Sequence, residues 1–252
     1  MSVPNSEFQP PPPPLPPAPA APTVEMSTAA TLTGIFFEPG RVFEALRSRP
    51  RFLVASLVLL ILTIGVTAAV YKRVDMDQYV RDKMERSSRG ASQTPEQREM
   101  GVKFGRMIGY TIPLFVPIGI AAGGALYLLG VMAFGGSISY KKSISVWVYS
   151  SLPPGVLGSI VAILVLFLKA PDQIDPERLL ITNPGAFMGP DSSPVLVSVL
   201  SQFDLLRFYG LFLAAIGLRK LGKLSSGSAW GVVLGFYLIR AILAICGALI
   251  SG

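Results

Sequence analysis

Four stretches of the chain, 52–71, 108–134, 143–168 and 229–250, run for 20 residues or more with one charged residue or none. No other feature restricts the possible folds as strongly. At ~1.5 Å per residue, a helix of about 20 residues crosses a hydrocarbon core of about 30 Å. In water, a chain of 252 residues would have to hide all four such helices on every side at once, and a globule of that size has too little interior. Only 15% of the residues are charged against 51% apolar, where soluble domains carry roughly 25% charge. Lipid is therefore the expected solvent for most of the polypeptide, and helices satisfy their own backbone there. A fifth apolar segment, 204–221, is shorter and has charges at its ends. The reading is an all-α integral membrane protein, a bundle of five transmembrane helices over about 52–71, 108–134, 144–168, 204–221 and 229–250. Pro153-Pro154-Gly155 interrupts the third run. Its first part is expected to approach the bilayer at a slant, and a four-span protein with a re-entrant third segment is the alternative.

The first 34 residues are of another kind. They contain no Lys or Arg, two acids, and ten prolines among the first 22 positions. The run Pro10-Pro11-Pro12-Pro13-Pro14-Leu15-Pro16-Pro17 cannot donate backbone hydrogen bonds and favours extended polyproline II structure. Residues 1–34 are thus expected to be a disordered proline-rich tail, a spacer or a docking strip for a proline-binding module. It lacks the basic start and adjacent apolar core of a signal peptide. Order is expected from Ile35. From Pro39, Val42, Phe43 and Leu46 share one side, with Arg41, Glu44 and Arg47 on the other. That division predicts an interfacial helix over 39–48, lying in the headgroup layer.

Basic residues gather at the ends of the apolar runs. Arg47, Arg49 and Arg51 precede the first, Lys141 and Lys142 the third, and Arg219, Lys220 and Lys223 fill the turn between the fourth and fifth. All eight are candidate contacts to lipid headgroups. Five spans put the three groups on one side, and the positive-inside rule makes that side the cytoplasm, with the C-terminus outside. Loop 72–107 opposes this in part, since it holds nine basic residues and six acids. There Met76, Tyr79, Val80, Lys83 and Met84 recur at helical spacing, and Thr94-Pro95-Glu96-Gln97 supplies an N-cap, a proline at the first helical position and a capping-box partner. A helical hairpin turning within 87–92 is expected, its charged residues forming either a solvated face or a surface for a protein partner or a second copy. In the other outer loop, Asp175-Pro176-Glu177 and Ser193-Pro194 each resemble a helix start. The second would open a helix on the outer surface, striped by Ser198, Ser201 and Gln202.

The segment Gly34-Ile35-Phe36-Phe37-Glu38-Pro39-Gly40-Arg41-Val42-Phe43-Glu44-Ala45-Leu46, followed by a basic junction and the first span, resembles the opening of the Yip-domain family of Ypt/Rab-interacting membrane proteins. Thr94-Pro95-Glu96-Gln97-Arg98, Ser150-Ser151-Leu152-Pro153, Leu166-Phe167-Leu168-Lys169-Ala170-Pro171-Asp172 and Asn183-Pro184-Gly185-Ala186-Phe187 are similar to its prokaryotic branch, as is Phe203-Asp204-Leu205-Leu206 running to Ala215-Ile216-Gly217-Leu218. The resemblance extends over about 34–252 and implies a Yip-like membrane domain over 35–252. It further implies five spans, a cytoplasmic N-terminus, a prokaryotic cytoplasmic membrane and no known catalysis. The Asp-Leu-Tyr-Gly-Pro motif of the GTPase-recruiting eukaryotic members is absent, so that role does not carry over.

The residues themselves point away from catalysis. There is no histidine and one cysteine, Cys246, which excludes histidine-based triads, histidine zinc sites and internal disulfides. Intramembrane aspartyl chemistry needs two acids within spans, and a Ser–Lys dyad needs a lysine at membrane depth; neither pattern occurs. No enzyme, cofactor or metal site is expected: Asp172, Asp175 and Glu177 lack the glycine and alternation of a calcium loop. No nucleic-acid module is present. Arg240 is the one ionisable residue well inside a span, ~16 Å along a helix begun at Ala229. An arginine there costs about 2.5–3.5 kcal/mol on insertion scales, so it needs a polar destination. Asp204 is the candidate partner, and a lipid phosphate or other anion is the candidate ligand. Gly119 and Gly123, four residues apart, suit close helix packing or dimerisation. The leading function is a non-enzymatic membrane scaffold or membrane-organising protein that binds lipids or protein partners. The alternative is a small channel or transporter using Arg240 and proline-broken helices.

Overall fold

A computed structural model of the protein describes residues 25–86, 94–189 and 192–251. Among them ten α-helices follow one another: α1 (Thr28–Phe37), α2 (Pro39–Ser48), α3 (Leu53–Arg73), α4 (Met76–Arg86), α5 (Pro95–Thr111), α6 (Phe115–Ala133), α7 (Tyr140–Leu168), α8 (Pro194–Leu200), α9 (Leu205–Gly222) and α10 (Ser226–Ser251). The polyproline run lies outside the described residues.

Helix α7 is the axis, packed against α3, α6 and α9. α3 runs parallel to it, with Leu59 against Gly155 and the Arg73 guanidinium donating to the Leu166 carbonyl at 3.0 Å. α9 runs antiparallel, with Gly217 against Val146 and Leu206 beside Gly158. Four helical segments, Leu53–Arg73, Pro95–Ala133, Tyr140–Leu168 and Ser226–Ile250, are long and apolar enough to cross a membrane alone. The count becomes five when α8 and α9, bent by 45°, are taken together as one span. Leu57, Ile61 and Ile64 on α3, Leu129 and Met132 on α6, and Leu238, Ile242 and Leu243 on α10 all face outward. A band of this extent has hydrocarbon as its matching solvent.

Several expectations are corrected. Pro153 and Pro154 do not interrupt the third span; they lie inside an unbroken α7. The prolines free the carbonyls of Tyr149 and Ser150, and α9 covers the place. A Cβ at Gly210 would stand 3.4 Å from both Pro154 and the Ser150 carbonyl. The second span does continue the hairpin's second helix from Pro95, broken by one 3₁₀ turn, Ile112–Leu114, at Pro113. Helix α1 begins at Thr28, ahead of the start of order expected at Ile35. The Ser27 hydroxyl caps α1 through the Ala30 amide, and buried Thr31 meets the Tyr149 hydroxyl at 3.1 Å. The apolar face of α2 rests on protein: Val42, Phe43 and Leu46 are fully buried in the core shared by α7 and α9. Asp175-Pro176-Glu177 opens only a 3₁₀ turn, Pro176–Arg178. Ser193-Pro194 does open a helix, α8, which packs against α10.

The hairpin in loop 72–107 is present, with α4 and α5 packed together and both halves of the capping box formed at Thr94 and Gln97. Its expected turn, 87–92, lies outside the described residues.

Candidate functional site

At the end where α2 and α9 finish and α7 begins, Glu44 accepts from Lys220 at 3.1 Å and from Arg47 at 3.1 Å. The Lys220 hydrogen bond is the largest influence on the Glu44 carboxyl and, with Arg47, holds its pKa below the ordinary glutamate value against the opposing effect of burial. The Ser137 amide donates to the Gly222 carbonyl at 3.2 Å, which draws the segment leading to Lys141 and Lys142 to the same end. Arg49 pairs with Glu25 at 3.3 Å, and Arg219 donates to the Ser226 hydroxyl at 3.2 Å. Arg51 donates to the Met26 carbonyl and the Thr28 hydroxyl, so it ties α1 to the start of α3. Lys141 and Lys223 are exposed and Lys142 is half-buried. None of the three has an ion pair within the described residues.

The second polar locus is the break between α8 and α9. Arg240, 14 residues past Ser226 and so about 21 Å along α10, donates to Gln202 Oε1 at 3.4 Å. It is not hydrogen-bonded or ion-paired to Asp204 among the described residues, which corrects the expected pair. Asp204 is instead the N-cap of α9. It accepts from the Arg207 amide at 2.9 Å, from the Thr182 hydroxyl at 2.8 Å and from the Asn183 amide at 3.4 Å. Three donors on one buried carboxylate leave little for a distant guanidinium. Sequence reasoning missed Arg207, which donates to the same Gln202 Oε1 at 2.9 Å and to the Ser201 carbonyl at 3.3 Å. The available signal was the polar stripe ending in Gln202, five residues before an arginine. Gln202 is oriented by chemistry: its Nε2 donates to the Ser198 carbonyl at 2.8 Å, which turns its one acceptor toward two cations. The Tyr237 hydroxyl donates to the Gln202 carbonyl at 2.9 Å and closes the break against α10.

Gly123 and Gly119 part company. A Cβ at Gly123 would stand 2.1 Å from the Trp147 ring, whereas Gly119 has nothing within 4 Å. The pair therefore does not act together in packing within the chain.

At the far end of the bundle, the α4–α5 hairpin is tied down. The Tyr79 hydroxyl donates to Asp175 at 3.0 Å, Lys83 pairs with Glu177, and Arg106 pairs with Asp77 at 3.1 Å. Burial first, then the carboxylates of Glu177 and Asp175, push the Tyr79 phenol far up, so it remains a donor. Among the described residues no three His, Cys, Asp or Glu side chains gather to hold a metal ion.

Lipid-facing helices that pass end to end, with polar side chains tied at the ends and at one helix break, define an all-helical, multi-pass integral membrane protein. The Yip1 domain matches residues 33–248, and the chain belongs to that family. It is 28% identical over 221 residues to the membrane protein YknW of Bacillus subtilis (strain 168), a match that covers 88% of this chain and 91% of that relative. No solved structure matches it.

Proposed function

We propose that the chain is a non-enzymatic membrane scaffold that binds lipids through its basic end and a protein partner, or a second copy, through the α4–α5 hairpin. The observation that carries this reading is the fixed attachment of that hairpin. Tyr79 and Lys83 clamp α4 to Asp175 and Glu177, Arg106 holds α5 to Asp77 of α4, and Arg81, Asp82, Glu96 and Glu99 stand exposed. Charged groups held in one orientation lose little freedom when a partner docks. At the other end, Lys141, Lys142 and Lys223 suit the phosphates of an anionic leaflet. The N-terminus then faces the cytoplasm of a prokaryotic cell and the C-terminus the outside.

Photo-crosslinkers at Asp82 and Glu99 in native membranes test this reading. Discrete adducts to one partner or to a second copy are expected, and their absence from both positions would overturn it. The second reading, a small channel or transporter, is favoured by the polar break between α8 and α9, because transporters place their sites at discontinuous helices. Solute flux in proteoliposomes that is lost in Arg240→Leu would put that reading first.

A further inference from the structure

We propose that the break between α8 and α9 binds an anionic phospholipid, its phosphate held by Arg207 and Arg240 and an acyl chain laid in the groove between α3, α7 and α9. Two guanidiniums, each with five N–H donors, converge on a single neutral oxygen, Gln202 Oε1, at 2.9 and 3.4 Å. Neither has an ion pair among the described residues. The nearby carboxylate, Asp204, already accepts from the Arg207 amide, Thr182 and Asn183. Arg207, Arg240 and Asp204 together leave one positive charge, and a phosphodiester supplies one negative charge with two free oxygens. The N-terminal end of α9 adds its partial positive charge at the same point.

A groove then selects a lipid over a free anion. A cavity of about 610 Å³ has Arg207 and Asn183 among its lining residues and is walled by Val66 and Val70 of α3 and by Gly158 and Ala162 of α7. α3 and α9 each pack against α7 and scarcely against one another, and the space left between them is closed at one end by Ile112 and by Leu179 and Leu180. Its size and carbon-rich walls suit a hydrocarbon chain and exceed the needs of an inorganic ion. The inference does not depend on the hairpin's recruiting a partner, and crosslinking from α4 and α5 can fail while this holds.

The test uses the full-length protein in mild detergent, titrated separately with phosphatidylglycerol, phosphatidylcholine and inorganic phosphate. Retention is read by native mass spectrometry and stability by thermal melting. Phosphatidylglycerol should be retained selectively and should raise the melting temperature, with the other two doing neither. Arg207→Gln and Arg240→Gln should each weaken that retention by roughly tenfold, the usual effect of losing a charge-assisted hydrogen bond. Gln202→Glu puts a carboxylate between the arginines. It should melt higher than the parent protein and lose the preference for phosphatidylglycerol, which keeps the test sharp if the arginine variants misfold. Equal retention of phosphatidylcholine, equal protection by inorganic phosphate, or an unchanged preference in Gln202→Glu would each overturn the proposal.

Discussion

Thr31 donates its hydroxyl proton to the Thr28 carbonyl at 2.7 Å, so its 3.1 Å contact with Tyr149 uses the tyrosine as donor. Both side chains are buried. Tyr149→Phe removes that bond without opening a cavity and should cost about 1 kcal/mol, measured by thermal melting in detergent. Glu44 predicts a pH effect of definite sign. Its pKa is depressed in the folded protein, so its pairing with Lys220 contributes fully above the unfolded glutamate value of about 4.3. That contribution is lost as pH falls below the value through the lower folded pKa. Acidification through this window should loosen α2 from α9, seen as faster amide exchange in 39–48, and Glu44→Gln should remove the pH step. Lys223 ends α9 in the left-handed region at φ 55°, where a Cβ is strained. Lys223→Gly should raise stability by up to about 1 kcal/mol.

At the scale of elements, small residues decide how closely helices approach. Gly123→Ala drives a methyl into Trp147 of α7 and should destabilise by about 1–3 kcal/mol. Gly119→Ala meets open space and should be neutral within about 0.5 kcal/mol; parallel melts of the two variants check the contrast. Periodicity and capping made most elements legible. Val42, Phe43 and Leu46 marked α2, and Thr94 to Gln97 marked the start of α5. α1 was less legible because Thr-Ala-Ala-Thr-Leu-Thr carries no apolar rhythm, and one of its anchors is a tyrosine 118 residues away. The proline pair was misread for a related reason. Locally it reads as a breaker, yet α7 runs on through it with Gly210 of α9 packed close beside Pro154.

For the molecule as a whole, a five-span reading predicts that the two ends of the chain lie on opposite sides of the membrane. Topology reporters fused at Met1 and Gly252 should report cytoplasm and exterior respectively, and one compartment for both would contradict the five-pass bundle. What the sequence determined by itself was the solvent and the element type. Long uncharged runs are a local property, and hydrocarbon admits them only as self-satisfied helices. The candidate site was half legible: Arg240 stood out as a costly charge at depth, but its partner did not. Tertiary structure decided that Gln202 and Arg207 meet it and that Asp204 caps a helix instead. It also decided that α2 covers the core and that Gly123 packs while Gly119 does not. Each of these outcomes depends on which residues distant in sequence come within a few ångströms, and no local pattern encodes that distance.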